Sequence, residues 1–109
     1  MSSKQYYTAQ ILALQGRIES AKGRLAGNKD QIRDAKATAA RSISQIKASM
    51  ARATNTAQKQ SYRGQMDSAR LQLTTKVKGL TNQIDNLKRD IEGLKRNIKA
   101  AQEAKKKAK

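Results

Sequence analysis

Starting at Tyr7, apolar or small residues recur at alternating steps of four and three: Ile11, Leu14, Ile18, Ala21, Leu25, Asn28, Ile32, Ala35 and Ala39. An extra step of four leads to Ile43, after which the rule resumes at Ile46, Met50, Ala53 and Ala57. It returns in the second half at Leu73, Val77, Leu80, Ile84, Leu87, Ile91, Leu94, Ile98 and Ala101. With 3.6 residues per turn, positions spaced this way fall on one edge of a helix, the seam of a coiled coil. Of the 17 Leu, Ile and Val residues, 15 lie on these two seams and only Leu12 and Leu71 lie off them. Two positions in every seven would catch well under half of them by chance. The expected fold is all-α, a long antiparallel two-helix hairpin of coiled-coil type, completed into a bundle by a partner.

Composition would have argued otherwise. Leu, Ile and Val make up about 16% of the 109 residues, and 24 Lys plus Arg stand against 8 Asp plus Glu, for a formal charge of +16. So few aliphatics with so much charge is the signature of a chain that stays unfolded. The periodicity overrules it, supported by abundant Ala, Lys, Gln and Arg and by the absence of Pro. Six of the eight acids precede a basic residue by three or four positions, Glu19 with Lys22 and Glu92 with Lys95 and Arg96 among them. Each such pair adds only about 0.2–0.5 kcal/mol to a helix.

The polar stretch Ala53-Thr54-Asn55-Thr56 is the best place for the chain to turn back, with Thr54 or Asn55 capping the second helix. A turn nearer Gly64 is the alternative. The predicted hairpin covers residues 1–104, with arms of about 5–53 and 57–104, and residues 105–109 form a basic tail. Residues would then face one another when their numbers add to about 110, bringing Ile11 near Ile98, Ile18 near Ile91 and Leu25 near Ile84. Small residues at Ala53 and Ala57 would let the arms approach closely beside the turn. The seam keeps its phase through Gly27 and Asn28, which reads as a kink or a polar seam position. So lean a seam invites a helical protein partner or self-association, through Tyr7, Ile11, Leu14, Ile18, Leu25, Val77, Leu80, Ile84, Leu87, Ile91, Leu94 and Ile98.

Chemistry is sparsely provided for. Without Cys or His there are no disulfides, no thiol nucleophile and none of the usual general bases or metal ligands. Asp30 and Asp34 lie one helical turn apart, but Arg33 and Lys36 crowd them. Enzymatic activity, a cofactor and a small-molecule substrate are therefore not expected. No apolar run of about 18 residues and no leader pattern stand in the sequence, so neither a transmembrane segment nor a classical signal peptide is expected.

The positive surplus is the strongest chemical feature. It favours polyanions: nucleic acid held through phosphates without base reading, anionic lipid surfaces, or acidic proteins. The densest run assigns that contact to Lys88, Arg89, Lys95, Arg96, Lys99, Lys105, Lys106, Lys107 and Lys109. With three Tyr and no Trp or Phe, stacking platforms and deep membrane anchors are missing.

A hairpin of this length, two seams of matching extent, an early Tyr6-Tyr7, and Tyr62-Arg63-Gly64 soon after the midpoint together resemble the WXG superfamily. These are the small helical hairpins of type VII secretion systems, and the likeness is nearer to the accessory partners of LXG toxins. Tyr62 and Gly64 would stand where that family carries Trp-x-Gly in or near its turn. The resemblance implies a partner or targeting factor that pairs with the helical region of a secreted toxin. It also implies a cytoplasmic protein leaving by a leaderless type VII route. A sequence-nonspecific nucleic-acid-binding or structural protein of a phage or chromosome, and a hairpin lying on anionic membranes, are the alternatives.

Overall fold

The computed structural model describes residues 2–108 and consists of two helices, α1 (Ser3–Ala51) and α2 (Thr56–Lys107). It is an all-α helical hairpin. Both helices start with a side-chain cap and a glutamine that reaches back, to the cap residue in α1 and to the residue before it in α2. The Ser2 hydroxyl accepts a hydrogen bond from the Gln5 backbone N–H at 3.2 Å, while the Gln5 side-chain carbonyl accepts one from the Ser2 N–H at 3.0 Å. At α2 the Asn55 carboxamide oxygen accepts from the Gln58 N–H at 2.8 Å, and Gln58 reaches back to the Thr54 N–H at 3.3 Å. These capping boxes satisfy backbone donors that a helix start otherwise leaves free.

The turn occupies residues 52–55. Arg52 and Ala53 donate to the carbonyls of Ser49 and Met50, both at 3.1 Å, which tightens the end of α1. Among the described residues none has a positive φ and no peptide bond is cis, so the reversal is made without glycine. Three sequence expectations change here. Ala57 is exposed and does not line the seam. Tyr62 and Gly64 lie inside α2, past its first turn, and are not the turn itself. Lys105, Lys106 and Lys107 are the last turn of α2 instead of a separate tail, where their charge suits the unsatisfied carbonyls of a helix end. Lys109 lies outside the described residues.

Contacts divide the chain into two units, one of residues 1–27 and 83–109, the other of residues 28–82. In the first, the terminal unit, Ile18 and Ala21 of α1 pack with Leu87 and Ile91 of α2, and Leu25, Leu94 and Ile98 close around them. Ile18 and Ile91, or Ala21 and Leu87, have numbers adding to 109 and 108, close to the register expected for a turn at Asn55. In the second, the turn unit, Leu80 and Met66 are buried, and the half-buried seam positions are Asn28, Ile32, Ala35, Ala39, Ile43, Ile46 and Met50 against Tyr62, Ala69, Leu73 and Val77.

The α2 seam thus reaches back through Leu73, Ala69, Met66 and Tyr62. Its steps of four from Ala69 to Leu73 and from Leu73 to Val77 mirror those of α1 from Ala35 to Ala39 and from Ala39 to Ile43. Both irregularities line one groove, together with Asp34, Thr38, Gln72 and Lys76. The whole seam is shallow. Among the described residues eight hydrophobic ones are buried, and no side chain is completely so.

Candidate interaction surfaces

The twelve seam positions expected to meet a partner pack α1 and α2 against each other. Ile18, Leu80, Ile84, Leu87 and Ile91 are buried, and Tyr7, Ile11, Leu14, Leu25, Val77, Leu94 and Ile98 are half-buried. The seven half-buried positions keep part of their surface open, and the outer faces of the helices offer more.

Taking Ile11, Ile18 and Leu25 as position a of the repeat and Leu14, Ala21 and Asn28 as d, positions b, c and f form the side of α1 turned from the seam. Between residues 5 and 27 these are Gln5, Tyr6, Ala9, Leu12, Ala13, Gly16, Glu19, Ser20, Gly23, Ala26 and Gly27, all exposed. Glu19 alone among the eleven is charged, in a chain that is 29% charged. The corresponding side of α2 in the same unit carries eight charges among eleven: Asp85, Arg89, Glu92, Arg96, Lys99, Glu103, Lys106 and Lys107, with Asn86, Gly93 and Ala100 as the exceptions. The α1 face also holds two of the three large exposed hydrophobics among the described residues, Tyr6 at 50% and Leu12 at 63%. At Gly16, Gly23 and Gly27 an added Cβ would meet nothing within 4 Å, so the surface there is open. Tyr6 packs edge-on against Tyr7, with ring centroids 5.3 Å apart, and its hydroxyl accepts a bond from Gln10 at 2.9 Å.

Charge is arranged differently in the two units. Of the basic residues expected to hold a polyanion, Lys88 to Lys107 are spread over several sides of α2 and interleaved with Asp85, Asp90, Glu92 and Glu103. Lys95 forms an ion pair with Glu92 at 3.6 Å. In the turn unit no acidic residue occurs between Asp34 and Asp67, while Lys36, Arg41, Lys47, Arg52, Lys59 and Arg63 all fall there and all are exposed. Every ion pair among the described residues is local to one helix: Glu19 with Lys22, Asp30 and Asp34 with Arg33, Asp67 with Arg70, and Glu92 with Lys95, at 3.5–3.8 Å. None joins α1 to α2. Exposed pairs of this kind are worth about 0–1 kcal/mol, so charge does not hold the hairpin closed.

No three acidic side chains among the described residues converge where an ion could be held. No helix among them is long and apolar enough to cross a membrane. Fold and surfaces together define the class: an all-α helical hairpin with a lean coiled-coil seam. The chain matches no protein-family model, no curated protein and no solved structure.

Proposed function

We propose that the chain is a non-enzymatic helical interaction protein, a WXG-like partner or targeting factor that pairs with the helical region of a secreted toxin. The reading is carried by the outer face of α1 between Gln5 and Gly27, on which Glu19 is the one charged residue. A solvated helix of so charged a protein has no need of such a face. A second helix has, because small residues permit close approach and a strip with a single charge limits the desolvation of ions. Tyr6 and Leu12 supply the apolar anchors at one end of it. The occupant is an acidic helix, since a second copy would bring another sixteen positive charges against the first. Tyr62-Arg63-Gly64 contributes nothing to this face, so the reading rests on the hairpin and its surface. In the cell the pair would assemble in the cytoplasm and leave by a leaderless type VII route.

The experiment is co-expression of the full chain with the helical region of a toxin encoded beside it. Binding to the folded state alone adds about 2.7 kcal/mol of stability at a hundredfold excess over Kd, so the melting temperature should rise. The double variant Leu12→Glu, Gly23→Glu should keep its helical circular dichroism yet lose both co-purification and the rise in melting temperature. Retention of both by the variant sinks the proposed face.

A further inference from the structure

Independently of the docking face on α1, we infer that the turn unit carries a phosphate-binding flank that holds duplex nucleic acid by its backbone. In this unit Lys29, Lys36, Lys47, Arg63 and Arg70 each directly follow a d position of the seam: Asn28, Ala35, Ile46, Tyr62 and Ala69. A residue in that place edges the seam, and in an antiparallel pair those of both helices border the same side. The two remaining d positions of the unit, Ala53 and Leu80, are followed by Thr54 and Thr81. One whole flank is thus basic or hydroxylic, without an acid.

Coiled coils commonly place opposite charges at such edges. Here Lys47 and Arg63 stand at the same level of the hairpin, their numbers adding to 110, so like charges are kept side by side. Among the described residues no carboxylate lies within ion-pairing distance of Lys29, Lys36, Lys47 or Arg63; Arg70 alone of the five has one, Asp67 at 3.6 Å. An external anion relieves the repulsion that the fold leaves standing. Successive charges seven residues apart, Lys29 to Lys36 and Arg63 to Arg70, are about 10 Å apart along their helix, which suits an extended row of phosphates.

Nucleic acid fits better than a lipid surface. The unit has one large exposed hydrophobic, Leu71, which sits two residues past the seam position Ala69 and offers no group of apolar anchors. Hydroxyls at Ser44, Thr54 and Thr81, all exposed, accompany the cations on this side, and such groups also bond phosphate oxygens. Tyr62 is half-buried on the seam and unavailable for stacking on unpaired bases, which points to a duplex.

The test uses the full chain and a labelled 24-base-pair duplex of arbitrary sequence, followed by fluorescence anisotropy between 50 and 200 mM salt. Five phosphate contacts give a log–log slope of about −4.5, or roughly a 500-fold loss of affinity over that range. The variant Lys36→Gln, Lys47→Gln, Arg63→Gln, Arg70→Gln should bind about 100-fold more weakly at 50 mM, with a slope near −1. A control removing the same charge from α2, Arg96→Gln, Lys99→Gln, Lys106→Gln, Lys107→Gln, should stay within about tenfold and keep its slope within one unit. All eight positions are exposed and Gln is a good helix former, so both variants fold. The charge-preserving set Lys36→Arg, Lys47→Arg, Arg63→Lys, Arg70→Lys should bind as the wild type does. Equal losses in the two Gln variants overturn the assignment of a site, as does absence of duplex binding at 50 mM. Sedimentation with phosphatidylserine vesicles decides the remaining case: if the turn-unit variant loses vesicle binding while its duplex binding is unchanged, the flank is a membrane surface and the proposal fails. An RNA duplex run alongside the DNA distinguishes the two sources of the same backbone chemistry, and binding of either sustains the proposal.

Discussion

Replacing Leu87 by Ala tests what holds the hairpin closed. Leu87 is 8% exposed and sits in the cluster with Ile18, Ala21 and Ile91. The substitution removes three carbon atoms already out of water, and at about 0.8 kcal/mol for each the transfer loss is about 2.4 kcal/mol. Leu→Ala changes in globular cores reach about 5 kcal/mol because a cavity remains. A seam one side chain deep can collapse or admit water, so the cavity contribution is small and the expected loss is about 2–3 kcal/mol. Eight buried residues place the whole protein near the low end of ordinary stability, about 5 kcal/mol. Half of it should therefore disappear. In a urea titration followed by circular dichroism at 222 nm, an m-value of about 1.5 kcal/mol/M turns that loss into a midpoint lowered by roughly 1.3–2 M. Leu12→Ala is the matched control. At 63% exposure Leu12 has most of its surface in water, and Ala is the better helix former, so the change should stay within about 0.5 kcal/mol of zero. If the two variants shift the midpoint equally, the seam is not what stabilises the fold and the register argument goes with it.

Asn55→Ala should cost about 1 kcal/mol by removing the acceptor for the Gln58 N–H, whereas Asn55→Asp should keep the cap, both read from thermal melts. Glu92→Gln should change stability by less than about 0.5 kcal/mol, because the pair with Lys95 is more than half exposed on both sides; a larger effect would mean that ion pairs matter more here than geometry implies. Gly23→Ala should stabilise by up to about 1 kcal/mol in the isolated protein, since its Cβ meets nothing and the backbone is already helical.

The outer half of each arm was legible because its seam is written in Leu and Ile, which have few places to go in so polar a chain. Residues 57–72 were not. There the seam is carried by Tyr62, Met66 and Ala69, and Ala does not declare a side: Ala21 and Ala101 are buried, while Ala9, Ala13, Ala37 and Ala48 are exposed. Phase assigned backwards from Leu73 would have found Met66. The polar stretch made Thr54 or Asn55 readable as the cap, but the choice of Asn55, its partner Gln58 and the Ser2–Gln5 box needed the actual hydrogen bonds. Lys105 to Lys107 looked like a tail since terminal lysine runs usually are one, yet Lys is a good helix former and Lys105 is half-buried on the continuing seam. The nearly uncharged face of α1 was present in the sequence all along. It is defined by residues that are absent, and a search for apolar positions passes over it.

The paired irregularities of the turn unit make the sharpest demand on the sequence. A step of four advances around the helix by about 40° beyond a full turn and a step of three falls about 60° short, so a regular heptad drifts by about 20°. An added step of four restores about 40°, and where one helix makes that correction its neighbour must make it too. Here Ala35 and Ala39 line one groove with Ala69 and Leu73. Deleting Ala40 to Ile43 leaves α1 with an unbroken heptad but rotates Ile46 and Met50 by about 40° from the seam that α2 still offers. Deleting Thr74 to Val77 does the mirror image. Each single deletion should broaden the urea transition and lower its midpoint by at least 1 M, at an m-value of about 1.5 kcal/mol/M. The double deletion restores one continuous heptad on both arms with the register kept, and should recover most of the lost midpoint although it removes eight residues. Additive losses would show that the two breaks in phase are unrelated, and that the pairing of Ala39 with its opposite numbers is a coincidence of spacing.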